Sequence, residues 1–332
     1  MNNVRKLWEN SNITRLFPGL ALNVRFDEPM RDHTTFRIGG PADLFVAPST
    51  TEELCALIDF FTASTVPVSI FGGGSNILVA DEGIRGAVIS FASINKIERC
   101  NADIPSGCYI RAGAGASMKA LTEKCLEENL SGMERFAGLP GSVGGAVFMN
   151  ARCYETAISD IFFGAEILHF SDRGCIIEEY RRNPGEWGYK KSPFQTRTGK
   201  DPLLLGENTR IILSAVFCLV SGNGSRIREE MDEKIRDREA KGHFRFPSAG
   251  SMFKNNHDFG KPSGKIIDDA GLRGFRIGDA QVAPWHGNIV INAGSASARD
   301  IRALVAEVQK QVFEKTGFTL ESEVIFAGDW KR

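Results

Sequence analysis

The sequence predicts an α+β protein. Short apolar runs of strand length dominate residues 25–220, and two helices with capping signals interrupt them. The last third closes with a long amphipathic helix and a strand. Residues 1–20 read as a helical or loosely attached lead-in. Strand-like runs then fall at 44–47, 68–71, 87–91, 109–112, 165–170 and 211–219. A first helix starts near Thr50, where Thr50 and Glu53 have the spacing of a capping box. Leu54, Leu57, Ile58 and Phe61 share its apolar face. A second helix starts at Ser117, with Met118, Leu121, Cys125 and Leu126 on one side. Ser221-Gly222-Asn223-Gly224-Ser225 reads as a linker, and the charge-dense helix after it, 226–241, mixes both signs as a solvated face does. Ser297 and Asp300 cap a final helix. Its buried stripe is Ile301, Leu304, Val305, Val308 and Val312, and Gly317 ends it. The last strand is 323–327.

Composition narrows the function. The net charge is −1 with 24% charged residues and no basic-aromatic stripe, so no nucleic-acid partner is expected. Seven cysteines, with no paired Cys-x-x-Cys and no metal-ligand spacing, suggest reduced thiols in a cytosolic protein. The five histidines are scattered, and no metal site is expected. The first ten residues are polar rather than signal-like, and the longest apolar run, about ten residues, is too short to cross a bilayer. No membrane partner is expected, and the chain reads as soluble and intracellular.

Chemistry concentrates in glycine-rich segments. Gly72-Gly73-Gly74 follows the run 66–71, and Ser75-Asn76 opens the next. Backbone without Cβ atoms can fold closely around an anion and aim successive N–H groups at it. A second such loop is Gly138-Leu139-Pro140-Gly141-Ser142-Val143-Gly144-Gly145. Two glycine loops suit an extended, phosphate-bearing ligand. Neither is a P-loop, since no Gly-Lys-Ser/Thr follows, and neither sits in the βαβ unit of a nicotinamide fingerprint. A dinucleotide-like cofactor in a non-Rossmann cradle is the reading from pattern.

Five motifs in order then carry a resemblance. They are Thr34-Thr35-Phe36-Arg37-Ile38-Gly39-Gly40-Pro41-Ala42-Asp43, the triple-glycine loop, the Gly138–Gly145 loop, Ala249-Gly250-Ser251-Met252-Phe253-Lys254-Asn255, and Gly264-Lys265-Ile266-Ile267-Asp268-Asp269-Ala270-Gly271-Leu272-Arg273-Gly274. Over about nine-tenths of the chain they resemble the UDP-N-acetylenolpyruvoylglucosamine reductases. The resemblance implies a PCMH-type FAD-binding fold of two α/β subdomains plus a smaller α+β substrate-binding domain. The expected boundaries are a lead-in at 1–20, the FAD domain at 21–220 (subdomains 21–70 and 71–220), the UDP-sugar domain at 221–320 and a terminal strand at 321–332. It implies FAD and NADPH as cofactors, with NADPH and the enolpyruvyl UDP-sugar sharing one pocket, and a cytoplasmic monomer.

By the same resemblance, Gly72, Gly73, Gly74, Ser75, Asn76, Gly138, Pro140, Gly141, Ser142, Gly144 and Gly145 hold the flavin. Ser251 is the proton donor. Glu323, chosen over Glu321 because it directly precedes the last apolar run, polarises and positions the substrate. Tyr189, Lys241 and Asn255 bind the UDP-sugar. Lys190 stands where the family has an arginine that clamps the substrate carboxylate, so the charge is kept and the bidentate fork is lost. Arg152, where the family has glycine, is a candidate to supply that fork. The absence of a long insertion after Gln195, with a short 199–210 segment, resembles the family's second subtype. Two alternatives stay open: a flavin oxidase on the same cradle, and a catalytically impaired protein that binds FAD and a UDP-sugar.

Overall fold

The computed structural model describes residues 3–100, 107–171, 174–195, 203–206 and 209–330. In chain order come α1 Asn3–Glu9, α2 Ile13–Leu16, α3 Pro18–Leu22, β1 Val24–Pro29, β2 Pro41–Val46, α4 Thr51–Ala63, β3 Val68–Phe71, β4 Ile77–Val79 and β5 Ile84–Ser90. Next are β6 Ile97–Cys100, β7 Cys108–Gly113, α5 Met118–Glu127, β8 Leu130–Ser131, α6 Val143–Phe148, β9 Arg152–Cys153, β10 Thr156–Ala157 and α7 Ile158–Ile161. They are followed by β11 Phe162–Ser171, β12 Gly174–Arg181, β13 Arg210–Ser221, α8 Gly224–Ala240, β14 Ser248–Ser251 and α9 Ser263–Asp269. The chain ends with β15 Arg276–Ile277, β16 Ala280–Val282, β17 Ile289–Asn292, α10 Ala298–Thr316 and β18 Ile325–Ala327.

The chain divides into two compact units that are not contiguous in sequence. The first is Met1–Phe26, Leu44–Gly73 and Gly86–Arg236; the second is Asp27–Asp43, Gly74–Arg85 and Asp237–Arg332. This differs from the sequential boundaries expected at 21–220 and 221–320. The reason is where apolar side chains go: Phe36, Ile38 and Leu78 are buried in the same cluster as Met252, Ile267 and Leu304.

In the first unit β3 runs parallel to β5, with Val68–Phe71 against Ala87–Ser90. A six-stranded antiparallel sheet follows the order β12-β11-β13-β7-β6, with β8 also paired to β13. β13 is buried almost continuously rather than alternately, which fits a strand covered on both faces. The lead-in is helical and packed: Trp8 stacks on Phe61 (6.2 Å) and is buried. Thr50 Oγ1 accepts the Glu53 N–H (3.2 Å) as expected. The Glu53 carboxylate, however, takes the N–H of Ser49 (2.6 Å), one residue earlier than a capping box requires.

The second unit holds a sheet of order β14-β17-β16-β15 and the parallel pair β4-β18. α10 lays Ile301, Leu304, Val308 and Val312 into its core, each fully buried and each contributing about 1.5–3 kcal/mol relative to exposure. The expected linker at 221–225 shrinks to two residues, because Ser221 ends β13 and Asn223 Oδ1 accepts the Arg226 N–H (3.1 Å) at the start of α8. Glu323 lies just ahead of β18 rather than in it. Much of the 199–210 segment falls outside the described residues. Among the described residues, no helix is long and apolar enough to cross a membrane.

Candidate functional site

The glycines after β3 are required by sterics. A Cβ on Gly72 would lie 2.7 Å from Ser142 Oγ, and one on Gly73 would lie 2.6 Å from the Ser142 nitrogen. The two glycine-rich loops therefore pack against each other in the first unit. Ser142 joins them: its Oγ accepts the N–H of Gly73 (3.1 Å) and, as N-cap of α6, that of Gly145 (3.3 Å). Gly138 and Gly141, with φ of 74° and 104°, form the turn around exposed Pro140. Gly144 has a packing role, since its N–H donates to Ala114 O (2.8 Å) and a Cβ would meet the Ala114 methyl at 2.9 Å.

Gly74, Ser75 and Asn76 belong to the second unit. A Cβ on Gly74 would fall 1.9 Å from His33 O, and the Gly74 carbonyl accepts the Thr35 N–H (3.1 Å). The start of the Thr34–Asp43 motif thus lies against Gly74. Thr34 Oγ1 donates to Ile38 O (2.9 Å) and closes the turn. Thr35 Oγ1 is buried and makes no hydrogen bond among the described residues. A buried hydroxyl beside a loop without side chains suits a polar ligand atom.

Ser251 and Glu323 lie in the same unit, Ser251 just ahead of a segment that pairs with the one carrying Glu323. The segment 321–323 runs antiparallel to 252–254: Glu323 N–H donates to Met252 O (2.8 Å), Lys254 N–H donates to Glu321 O (2.9 Å), and Ser322 pairs with Phe253. Asn76 ties in the glycine loop, its amide donating to Glu323 O (3.1 Å) and its carbonyl accepting the Ile325 N–H (3.0 Å). Ser251 sits at the end of β14 after a register shift against β17, with Gly250 at φ 72°. Such bulges re-aim a side chain. Glu321 is paired with Lys254 and is 72% exposed, whereas the Glu323 backbone is held on both sides, by Met252 and Asn76.

The sequence reading missed Asn288. It is buried, its Oδ1 accepts the Phe253 N–H and its Nδ2 donates to Phe253 O (both 2.8 Å), and its own carbonyl accepts the Met252 N–H (2.8 Å). The signal was an asparagine opening an apolar strand, where a polar side chain must find partners. Nearby, Asn255 Oδ1 accepts the Ser263 N–H (2.9 Å) at the start of α9, and exposed Lys241 pairs with Asp237 (2.7 Å). Beside Lys241, burial and the charges of Arg238, His286 and Lys241 push the His243 pKa down to about 4. Burial also lowers that of His286.

Tyr189 and Lys190 lie in the first unit, at the tip of a tight turn in which Gly188 and Lys191 exchange backbone hydrogen bonds (3.1 Å each). Asn150, at the end of the second glycine motif, donates to Gly188 O (2.9 Å). Arg152 is exposed in the β9–β10 hairpin, its guanidinium donating to Glu155 O (3.0 Å).

Comparison with known proteins identifies the family. Residues 42–173 match an FAD binding domain, and residues 242–327 match the C-terminal domain of UDP-N-acetylenolpyruvoylglucosamine reductase. The chain is 47% identical over 330 residues to a UDP-N-acetylenolpyruvoylglucosamine reductase of Treponema denticola, covering 99% of this chain and all of that protein. It is 43% identical to the same enzyme of Treponema pallidum, covering 92% of this chain and 94% of that one. The crystal structure of UDP-N-acetylenolpyruvylglucosamine reductase from Thermus caldophilus superposes with a TM-score of 0.69 at 31% identity, over 90% of this chain and 97% of that one. With its PCMH-type flavin fold, the chain belongs to the UDP-N-acetylenolpyruvoylglucosamine reductase family.

Proposed function

We propose that the residues above divide the work of the family's reaction between them. The chain is an FAD-dependent oxidoreductase that reduces the enolpyruvyl ether of UDP-N-acetylglucosamine to UDP-N-acetylmuramate with NADPH, a step of peptidoglycan precursor synthesis. Full-length matches to reductases favour this over the oxidase and impaired-protein alternatives. Bound FAD supplies the hydride-carrying chemistry between NADPH and the enolpyruvyl ether.

The residues present fit that group. Side-chain-free backbone at Gly72, Gly73, Gly138, Gly141 and Gly145 admits a pyrophosphate, with Pro140 shaping the turn. Ser142 and Gly144 fix the loop within the first unit; in the second unit, beside Gly74, the buried Thr35 hydroxyl has no partner among the described residues and suits a polar ligand atom. NADPH and the UDP-sugar use the same site in turn. Lys241 meets the diphosphate as a point charge, and Tyr189 and Asn255 orient the sugar nucleotide.

Hydride addition at the terminal methylene carbon leaves negative charge shared with the carboxylate. The Lys190 ammonium stabilises it. The Ser251 hydroxyl gives a proton to the adjacent carbon, producing the lactyl ether, and Glu323 holds and polarises the substrate for that transfer. The observation that supports this reading is the pairing of 252–254 with 321–323, in which Glu323 bonds to Met252, the residue after Ser251. Anaerobic rapid mixing tests it. Ser251→Ala is expected to slow reoxidation of the NADPH-reduced flavin by the enolpyruvyl substrate about 10²–10⁴-fold. Reoxidation at the unsubstituted rate would remove Ser251 from the mechanism.

A further inference from the structure

The turn carrying Tyr189 and Lys190 is held more firmly than an ordinary surface connection. Trp187 and Phe194 flank it, in ring contact with each other (5.9 Å) and with Phe162 (4.9 and 6.3 Å) in the first unit's core. At its tip Lys190 adopts φ 54°, a left-handed conformation that side chains disfavour. Such a conformation persists where the surroundings impose it, and it recurs at functional sites.

One side chain accounts for much of that imposition. The Gln195 amide donates to Lys190 O (3.1 Å) and to Phe148 O (2.8 Å), one proton for each carbonyl. Phe148 is the last residue of α6, so its carbonyl is one that the helix cannot satisfy itself. Ser192 Oγ reaches the same carbonyl (2.7 Å). A chain of contacts thus runs from Ser142, which joins the glycine loops, through α6 and Gln195 to the backbone of Lys190.

We propose that Gln195 is a positioning residue for the reduction: by bridging Phe148 and Lys190 it fixes the Lys190 turn to the helix of the second glycine loop, and so sets where the ammonium meets the substrate carboxylate. The proposal rests on the assignment of Lys190 above. A lysine contacts an anion through a mobile four-carbon arm, and without the family's rigid fork the precision must come from its backbone. Both of these Gln195 bonds go to backbone carbonyls, so its effect on the reaction runs through Lys190.

A double-mutant cycle on the FAD-loaded protein tests it. Gln195→Met keeps length and volume but removes the donor. It is expected to raise the KM for the enolpyruvyl UDP-sugar about tenfold, more than it changes kcat, the size of one lost charge-placing contact. In a Lys190→Ala background the same substitution should add less than about twofold, because its route of action is gone. If the two effects multiply, or if Gln195→Met alone is silent while Lys190→Ala is damaging, the positioning role is overturned and the Lys190 assignment stands. If Lys190→Ala is itself silent, the Lys190 assignment falls and this proposal with it. Should the methionine variant fail to load FAD, Gln195→Asn, with its donor on a shorter arm, answers the same cycle with the same outcomes.

Discussion

In the proposed reaction Lys190 stands where the family resemblance expects an arginine. An ammonium gives the enolpyruvyl carboxylate charge without a planar fork, so it can stabilise the developing anion while holding it less tightly. Lys190→Arg is therefore expected to lower the substrate KM severalfold, and Lys190→Ala to cut kcat/KM by about 10². Arg152 is exposed and engages Glu155 O within its own hairpin, so Arg152→Ala should leave kcat/KM within about twofold, as surface changes usually do. Steady-state kinetics with varied enolpyruvyl UDP-sugar checks all three. A large loss in Arg152→Ala would make that guanidinium the carboxylate clamp instead.

At the scale of elements, α10 shows what local sequence can and cannot reveal. The Ser297–Asp300 capping box is legible from spacing and present on both sides, with Asp300 N–H to Ser297 Oγ at 3.0 Å and Ser297 N–H to Asp300 Oδ2 at 2.9 Å. The next two N–H groups, of Ala298 and Arg299, are taken by the carboxylate of Asp81 at 2.8 and 3.0 Å, from a residue 217 positions earlier in the chain. No local pattern announces that partner. Asp81→Ala is expected to cost about 1–2 kcal/mol, the usual loss of a capping carboxylate at a helix N-terminus, read as a lower urea midpoint at unchanged slope. A midpoint that does not move would mean that the box alone secures the helix. The same division holds for the site. Gly72–Gly74, Gly138–Gly145 and Ser251 stand in contiguous motifs and can be named from the sequence, whereas the bonds from Asn288 to Phe253 and from Gln195 to Phe148 join groups distant in sequence. The short β14–β17 strands were also unread, because a glycine-rich stretch with a bulge has no clean alternation.

At the scale of the whole molecule, the interleaved units follow from burial, since each has its own apolar cluster built from distant segments. Within the second unit's last segment, the charges of Arg238, Lys241 and His286, set against Asp237, act on half-buried His243. Burial and these positive neighbours lower the His243 pKa from 6.5 to about 4, so between those values the unfolded chain binds more protons than the folded one. Stability is then fully present above about pH 6.5 and is lost as pH falls toward 4. Asp269, held down to about 2 by Lys261 and Lys265, acts only in a lower window, between 3.8 and 2, and its exposed pairs weaken with salt. Urea midpoints at pH 7 and pH 5 separate the two. The unsubstituted protein should lose midpoint over that interval, and His243→Asn, which cannot take up the proton, should lose markedly less. An equal fall in both proteins would assign the acid sensitivity to other groups, with His286, whose pKa is also lowered by burial, the first to substitute next.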